Sequence, residues 1–448
     1  MLSQLSYSPT NKTFCRSNIP DPASKSIPKR IPHRRLTAPG AGNTIDLSAG
    51  VVKLADTVDS KSTGPNSSCR FKSDLRHQSL NSSTPLGRIK MSKVAVLRTK
   101  PETVLEDIAR LMRMADYRQA VPQDAEVALK INISWHHWYP AVSTTPWQLE
   151  GVIKTLLADG YSRDKIYGAH NRTVVVSARK GEVANKHKQV LEKYGVRNIH
   201  LYEGEPWVKY EPRHKMLALD SIFPRGIQIP KRLIGSSVIH LPTMKTHVFT
   251  TITGAMKNAF GGLLHEKRHW THSVIHETLV DLLAIQKEIH PGIFAVSDGT
   301  LAGDGPGPRC MRPHEADLLL ASSDQVAIDA IAAKLMGFDP LSLKFIRLAH
   351  EHGLGCGDPR EIEVVGEDIS GINLGFRCST NTFASRGQKA IYWGPLKPLE
   401  KVLLRTAITP WSYAASITYH DLYWYNLIGR RRIKRALKTK WGQLFLKY

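Results

Sequence analysis

Along residues 91–394, short apolar runs alternate with longer segments in which apolar positions recur every three to four residues. Runs such as Val127–Ile133 and Val238–Leu241 have the length of buried strands, whereas Pro146–Leu157 has the helical period and stops before an Asp-Gly pair. Such alternation is typical of a largely parallel sheet with helices on both faces. The sequence therefore predicts an α/β fold here, with ligands bound beyond the carboxyl ends of the strands.

The same pattern predicts the remaining elements. Further strands are expected at Val94–Arg98, Lys165–Ala169, Ile199–Tyr202, Ile293–Ser297, Leu318–Ala321 and Glu361–Val365. Further helices are expected at Pro101–Ala115, Glu182–Tyr194, Thr253–Phe260, Val274–Ile289, Gln325–Met336 and Leu341–His352. Asp324 is the expected N-cap of one helix. Asp329 lies on the otherwise apolar face of that helix. Because an unpaired buried carboxylate is costly, we expect Asp329 to form an ion pair with one of the lysines.

Charge divides the chain into three segments. Residues 1–90 carry 14 Lys and Arg against 5 acids, residues 395–448 carry 11 against 2, and residues 91–394 carry 37 against 32. The net charge of +23 thus belongs mostly to the two ends. Specific nucleic-acid binding is therefore not expected of the middle segment.

The N-terminal 90 residues have the composition of a disordered extension, rich in Ser, Pro and basic residues. A transit peptide is one interpretation. The alternative is that 1–90 is not part of the true protein: Cys69–Gln78 back-translates into a transfer RNA T-arm, and Gly50–Thr57 resembles a translated D-arm. On that hypothesis Met91 is the true start, and the DNA must fold as a cloverleaf.

Five scattered cysteines without a C-x-x-C pair indicate a reducing compartment and no resident iron–sulfur cluster. No apolar run reaches the roughly 20 residues that span a bilayer. A cytoplasmic location is expected, with peripheral membrane attachment as a variant of it.

The densest polar chemistry lies in the sequence VIHLPTMKTH, residues 238–247, followed by TGAMKNAFGG at 253–262. Lys245 and His247 occupy the predicted loop after a strand, and Lys257 and Asn258 the helix after it. A histidine near neutrality can act as general acid or base, and a desolvated lysine as a base. The alternative is a set of solvated cations.

These segments resemble the signature of domain-of-unknown-function family 362, a domain that sometimes accompanies ferredoxin-type iron–sulfur modules. The resemblance covers roughly residues 94–366 and implies an enzyme-like domain with a redox partner as a candidate. Lys130 and Asn132 match a family Lys-Pro-Asn, although this chain has Ile131 in place of Pro. A lysine and an amide at a strand end suit an anion such as phosphate or carboxylate.

A glycine-rich stretch, SDGTLAGDGPGPR, follows another predicted strand and resembles a family loop. Asp298 can act as a base or bind metal. Asp304, Gly305 and Arg309 are candidate substrate ligands, since Gly305 allows close backbone approach and Arg309 can clamp an anion. A tight Gly/Pro turn is the alternative.

His265-Glu266-x-x-His269 is a literal zinc-hydrolase motif, and His272 extends the row of imidazoles. The three histidines are candidate ligands of a divalent metal. Gly261 and Gly262 just before the motif favour a loop, whereas a zinc hydrolase needs a helix. Pocket or surface residues are the remaining interpretation.

The C-terminal segment 395–448 combines Trp and Tyr residues with the basic run RRRIKR. It is predicted to be a helical tail. This composition suits a membrane surface, where aromatic rings lie at headgroup depth, and also nucleic acid. The alternative is a helical appendage that packs its aromatics on the core.

The leading hypothesis is a metal-dependent or redox-linked enzyme that acts on a small anionic substrate through Lys245, His247, Lys257 and Asp298. A peripheral membrane or nucleic-acid binding protein and a zinc hydrolase are the alternatives.

Overall fold

Strands and helices alternate through the computed structural model, which describes residues 91–378 and 380–448. The expectations for 1–90, including its reading as translated transfer RNA, lie outside the described residues. The strands are β1 Ser92–Arg98, β2 Val127–Ile131, β3 Ile166–His170, β4 Arg197–His200, β5 Trp207–Tyr210, β6 Ile227–Pro230, β7 Ser237–Leu241, β8 Thr243–His247, β9 Thr251–Ile252, β10 Ile293–Asp304, β11 Arg312–Ser322 and β12 Ile362–Gly366.

The α-helices are α1 Val104–Met114, α2 Tyr117–Ala120, α3 Pro146–Ala158, α4 Ala178–Ala184, α5 His187–Lys193, α6 Leu219–Ile222, α7 Gly254–Asn258, α8 Phe260–Leu263, α9 Ile275–Ile289, α10 Gln325–Met336, α11 Lys344–Glu351, α12 Phe383–Tyr392, α13 Glu400–Arg405, α14 Pro410–Ile417, α15 Arg430–Ala436 and α16 Lys440–Leu446. Short 3₁₀ segments are Arg163–Lys165, Lys231–Leu233, Glu266–Val274, Pro340–Ser342, Pro359–Glu361 and Lys397–Leu399, and Thr418–Gly429 is π-helical.

The central sheet has the strand order β12-β1-β11-β10-β7-β2-β3-β4, with β8 and β9 branching from β10. Neighbouring strands from β10 to β4 run parallel, whereas β11 is antiparallel to both β1 and β10. Every residue of β2, β3 and β7 is buried, because helices cover both faces of a parallel sheet. The predicted α/β fold is confirmed.

Helix ends follow local sequence signals. Thr145 and Gln148 form a capping box around the first turn of α3. Asp324 accepts the Val326 and Ala327 amides at 2.8 and 3.0 Å as the expected N-cap of α10. Both caps satisfy amides that would otherwise lack partners. The bounds of α10 agree with the sequence prediction.

Several predicted elements differ, and the strand expected at Ile293–Ser297 continues to Asp304 as β10. The single helix expected at Glu182–Tyr194 is two helices, because Lys186 has φ of 66° and a left-handed residue breaks an α-helix. The helix expected at Thr253–Phe260 is split between α7 and α8. The expected loop at Lys245 and His247 is strand β8, because β10 runs on to residue 304 and gives β8 a partner.

The C-terminal segment packs on the core through aromatic residues. Trp441 is fully buried, stacks on Trp147 at 5.4 Å between ring centroids, and donates from Nε1 to Asp317 Oδ1 at 2.6 Å. Phe445 stacks on Trp138 at 4.2 Å. None of the helices in residues 91–378 and 380–448 has both the length and the apolar character needed to cross a bilayer.

Candidate functional site

A cavity of about 840 Å³ lies at the carboxyl ends of β2 and β3, between this sheet edge and the C-terminal helices. This is the edge that the strand-end rule predicts. Of the sequence-predicted site residues, those that line the cavity are Lys130, Asn132, His247, Lys257, Asn258, His269, His272 and Arg309.

The described residues that line the cavity include two lysines, two arginines and five histidines but no Asp or Glu. The basic side chains are Lys130, Lys257, Arg268 and Arg309, and the histidines are His170, His247, His269, His272 and His420. Apolar and aromatic residues form much of the remaining wall. The electrostatic environment therefore favours an anion.

Lys130 is held at the end of β2 by the helices that follow β9. Its Nζ donates to the Ile131 carbonyl at 2.6 Å, and its own carbonyl accepts from Asn258 Nδ2 at 2.8 Å. Gly262 makes room for the lysine, since a Cβ at that position would lie 3.0 Å from Lys130 Cε. Burial, with Arg268 as the second cause, lowers the pKa of Lys130 to about 7.

Lys257 lies on α7, and its Nζ is 5.1 Å from the Phe260 ring centroid. Burial, followed by repulsion from Arg268, lowers its pKa to about 8. Asp329 holds this helix by accepting the Ala255 and Met256 amides at 2.5 and 3.0 Å. The expected ion pair between Asp329 and a lysine is thus wrong, because two backbone amides of α7 donate to the Asp329 carboxylate.

His247 is buried and His272 half-buried. Desolvation, followed by the charge of Lys257, lowers the pKa of each histidine. For His272 the value is about 3. His247 Nδ1 accepts the Phe249 amide at 3.2 Å, so its neutral ring carries the proton on Nε2. His272 Nδ1 donates to the His269 carbonyl at 2.9 Å, so its Nε2 is left as an acceptor. One imidazole can therefore donate a hydrogen bond and the other accept one.

Lys245 and Asp298, two predicted catalytic residues, are buried outside the cavity lining. Lys245 Nζ donates to Ser134 Oγ at 3.1 Å and to the Val142 carbonyl. Asp298 accepts from Thr145 Oγ1 at 2.5 Å. Both side chains therefore support the strand ends, and Lys245 reaches the cavity wall only through Ser134.

The predicted glycine-rich loop has two parts: residues up to Asp304 belong to strand β10, and residues 306–309 line the cavity. Asp304 accepts the Arg377 amide at 2.6 Å, and the Gly305 carbonyl accepts from Thr246 Oγ1 at 2.7 Å. Neither lines the cavity, whereas Arg309 does. Arg309 donates from Nε to the Ser134 carbonyl at 3.3 Å.

The predicted metal ligands lie in and next to a 3₁₀ segment, where residues three apart share a face and residues four apart do not. His265 precedes the segment and its Nδ1 accepts the Lys267 amide at 3.0 Å. In the described part of the chain, His265, His269 and His272 are not among the groups whose ligand atoms lie within 4.8 Å of one another. The side chain of Glu266 lies outside the described residues. The metal site at these histidines stays a prediction.

Sequence reasoning missed several cavity residues. His170 ends β3 and lies in the wall with both ring nitrogens buried and without hydrogen-bond partners in the described residues. Arg268 also lines the cavity, but in the sequence it is only a variable position of the His265-Glu266-x-x-His269 motif. His420 and Tyr423 come from the C-terminal segment and have no local signal. His170 alone could have been found, since it follows the strand-end rule.

Residues 127–334 match the sequence model of a family described as Domain of unknown function (DUF362). A thylakoid-associated protein of Synechocystis sp. is 32% identical over 145 residues, which are 31% of this chain and 44% of that protein. The chain thus matches less than half the length of this relative. The matched segment supplies the sheet-edge wall of the cavity. The resemblance to domain-of-unknown-function family 362 that the sequence motifs indicate is thus supported by a family-model match over residues 127–334.

Proposed function

We propose that the cavity binds a ligand with an anionic head and an apolar body, and that the protein catalyses proton transfer on it. The carboxylate-free, cation-rich lining of the described cavity carries this proposal. An anion there gains charge-assisted hydrogen bonds in a low-dielectric site, where such bonds are stronger than in water.

Two groups suit proton transfer. Lys130 has a pKa lowered to about 7, close to the value that serves an acid or base near neutral pH. His272 offers a neutral Nε2 as acceptor, and His247 an Nε2–H as donor to a developing oxyanion. This proposal keeps the anionic substrate of the sequence hypothesis and replaces its metal-dependent or redox-linked chemistry with acid–base chemistry.

The size of the cavity indicates more than a simple inorganic anion. About 840 Å³ is within the range of sites for cofactor-sized ligands. Leu404, Tyr392 and Trp411 contribute apolar surface to the cavity lining. The ligand is therefore proposed to have an apolar portion that lies against these residues.

Calorimetry with octyl sulfate and octyltrimethylammonium, below their micellar concentrations, tests whether the cavity binds a ligand with an anionic head and an apolar tail. We expect octyl sulfate to bind, and octyltrimethylammonium, which has the same octyl group but a positive charge, to bind at least tenfold more weakly. Lys257→Gln should reduce octyl sulfate binding, and Lys188→Gln on the surface of α5 should not. Equal affinity for the two amphiphiles would refute an anion site.

A second function is favoured by the surface around the cavity mouth: attachment to an anionic membrane. Phe383, Leu396, Trp411 and Tyr423 line the cavity and are also exposed. Leu422 is 64% exposed on the same C-terminal segment. Isolated exposed apolar residues are ordinary, but a concentration of them marks an interaction surface.

The proposed occupant of this surface is the headgroup region of an anionic bilayer. The exposed apolar residues are followed directly by exposed basic ones, at Arg430, Arg431, Lys434, Arg435 and Lys438. Apolar side chains beside cations match the acyl boundary and the charged headgroups of a membrane surface. The similar protein from Synechocystis is described as thylakoid-associated.

Flotation with phosphatidylglycerol vesicles and with phosphatidylcholine vesicles tests this attachment. We expect binding to the anionic vesicles, and a reduction of at least threefold in Leu422→Asp. Leu446→Asp places the same charge at a similarly exposed leucine on α16 and should change binding little. Equal loss in both variants, or binding to single-stranded DNA in place of vesicles, would overturn the proposal.

A further inference from the structure

We infer that His136, His137 and Asp421 form a site for one divalent transition-metal ion, which joins the C-terminal segment to the loop after β2. Their ligand atoms lie within 4.8 Å of one another. Two imidazoles and one carboxylate are a recurrent ligand set for zinc and for non-haem iron. The site is independent of the histidine motif at residues 265–272.

The carboxylate is already oriented. Trp135 Nε1 donates to Asp421 Oδ1 at 2.6 Å, and Asp421 Oδ2 lies 3.3 Å from His136 Nε2. Two atoms bound to one ion at about 2.1 Å can be at most about 4.2 Å apart. The pair therefore fits an ion as it stands. The ligand atom of His137, on a loop, lies within 4.8 Å of the other two, so it needs to move by at most about 1.4 Å to reach the roughly 3.4 Å that separates tetrahedral ligands.

The two imidazoles are available as ligands. His136 presents Nε2 to Asp421, and its other ring nitrogen, Nδ1, is buried without a hydrogen bond in the described part of the chain. The His137 ring stacks on Tyr425 at 4.3 Å, which fixes its plane.

A second group of potential ligands consists of His350, Cys356 and Glu361. This group is less suited to bind a metal ion. His350 Nδ1 accepts the Gly357 amide at 3.2 Å, which leaves one ring nitrogen. Burial raises the pKa of the Cys356 thiol, whereas metals bind the thiolate. This group serves as an internal control.

The ion would stabilise one wall of the cavity. Tyr419 and His420, which immediately precede Asp421, line the cavity, as does Ser134, which precedes Trp135. Asp421 also lies in a π-helical stretch, a conformation frequent at functional sites. A bond from Asp421 to the ion would hold this stretch over the sheet edge.

Titration of the chelator-treated full chain with Co²⁺, followed by its visible absorption, tests the site. We expect one equivalent to bind, and at least tenfold weaker binding in Asp421→Asn and His137→Phe, since even an outer-shell change costs about 10–100-fold. Asn at 421 can still accept from Trp135, and Phe at 137 can still stack on Tyr425. Near-ultraviolet circular dichroism reports whether the aromatic packing survives.

Matched controls use the other histidine and cysteine positions. His352→Phe makes the same substitution at an exposed histidine, and Cys356→Ser alters the second group. Both should bind Co²⁺ as the unaltered chain does. The inference fails if the unaltered chain binds no Co²⁺, or if binding is lost in Cys356→Ser or His272→Ala but kept in Asp421→Asn.

Discussion

The two walls of the cavity are built by different means. The sheet-edge wall has buried cations that backbone groups hold in place, such as Lys130 on the Ile131 carbonyl. The C-terminal wall has aromatic and apolar residues, several of them exposed, such as Trp411 and Tyr423. The first wall can select charge because its groups are desolvated, whereas the second offers mainly apolar area. Recognition of the anion should therefore depend on the first wall, and stability and access on the second.

Removing the anchor of the C-terminal wall should have the largest effect. Trp441 is fully buried against Trp147, so Trp441→Ala should lower the free energy of unfolding by about 3–5 kcal/mol. Urea denaturation measures this. Leu446→Ala, on the same helix but 59% exposed, should change stability by less than about 0.5 kcal/mol. Similar losses in both would mean that the C-terminal wall has no such anchor.

Neutralising the sheet-edge wall should affect binding but not stability. Lys257→Gln should weaken octyl sulfate binding by about 1.5–3 kcal/mol, the contribution of a hydrogen bond to a charged group. Tyr413→Phe, in the opposite wall, should cost less than about 0.5 kcal/mol of binding. Calorimetry on both variants measures the contrast. A greater loss in Tyr413→Phe would reverse the roles of the two walls.

The two walls also differ in how far the sequence predicts them. Strand β2, and the prediction that Lys130 at its end binds an anion, follow from a local apolar run that ends in polar residues. The role of His420 does not, because it depends on a C-terminal segment folding back over the sheet. Asp298 was expected in a loop because glycines follow it, but Gly299 lies in β10, where a Cβ would come within 2.4 Å of Met244 Sδ. Close packing against β8, which has no local signal, decides that position.

The pH dependence of binding separates the lysines from the arginines of the first wall. Burial lowers the pKa of Lys130 to about 7 and of Lys257 to about 8, so both are charged below these values and neutral above them. Octyl sulfate keeps its charge throughout, and its affinity should fall as pH rises from 6 to 9, by up to about 1.4 kcal/mol per pH unit for each proton lost. Lys257→Arg, whose guanidinium stays charged, should flatten the profile above pH 8. An unchanged profile would show that Lys257 does not contact the anion.

The smallest effect tests whether the first wall selects by position as well as by charge. Gly262→Ala keeps every cation, but its Cβ would lie 3.0 Å from Lys130 Cε, whereas a Cβ at Gly261 would lie 3.7 Å from Lys130 Nζ in ordinary contact. The Lys130 side chain must then shift by a few tenths of an ångström, and a distortion of its torsion angles costs about 0.5–1.5 kcal/mol. Calorimetry should show weaker octyl sulfate binding in Gly262→Ala and little change in Gly261→Ala. If the two alanine variants bind alike, charge alone accounts for recognition, and the backbone contacts of Lys130 serve the fold.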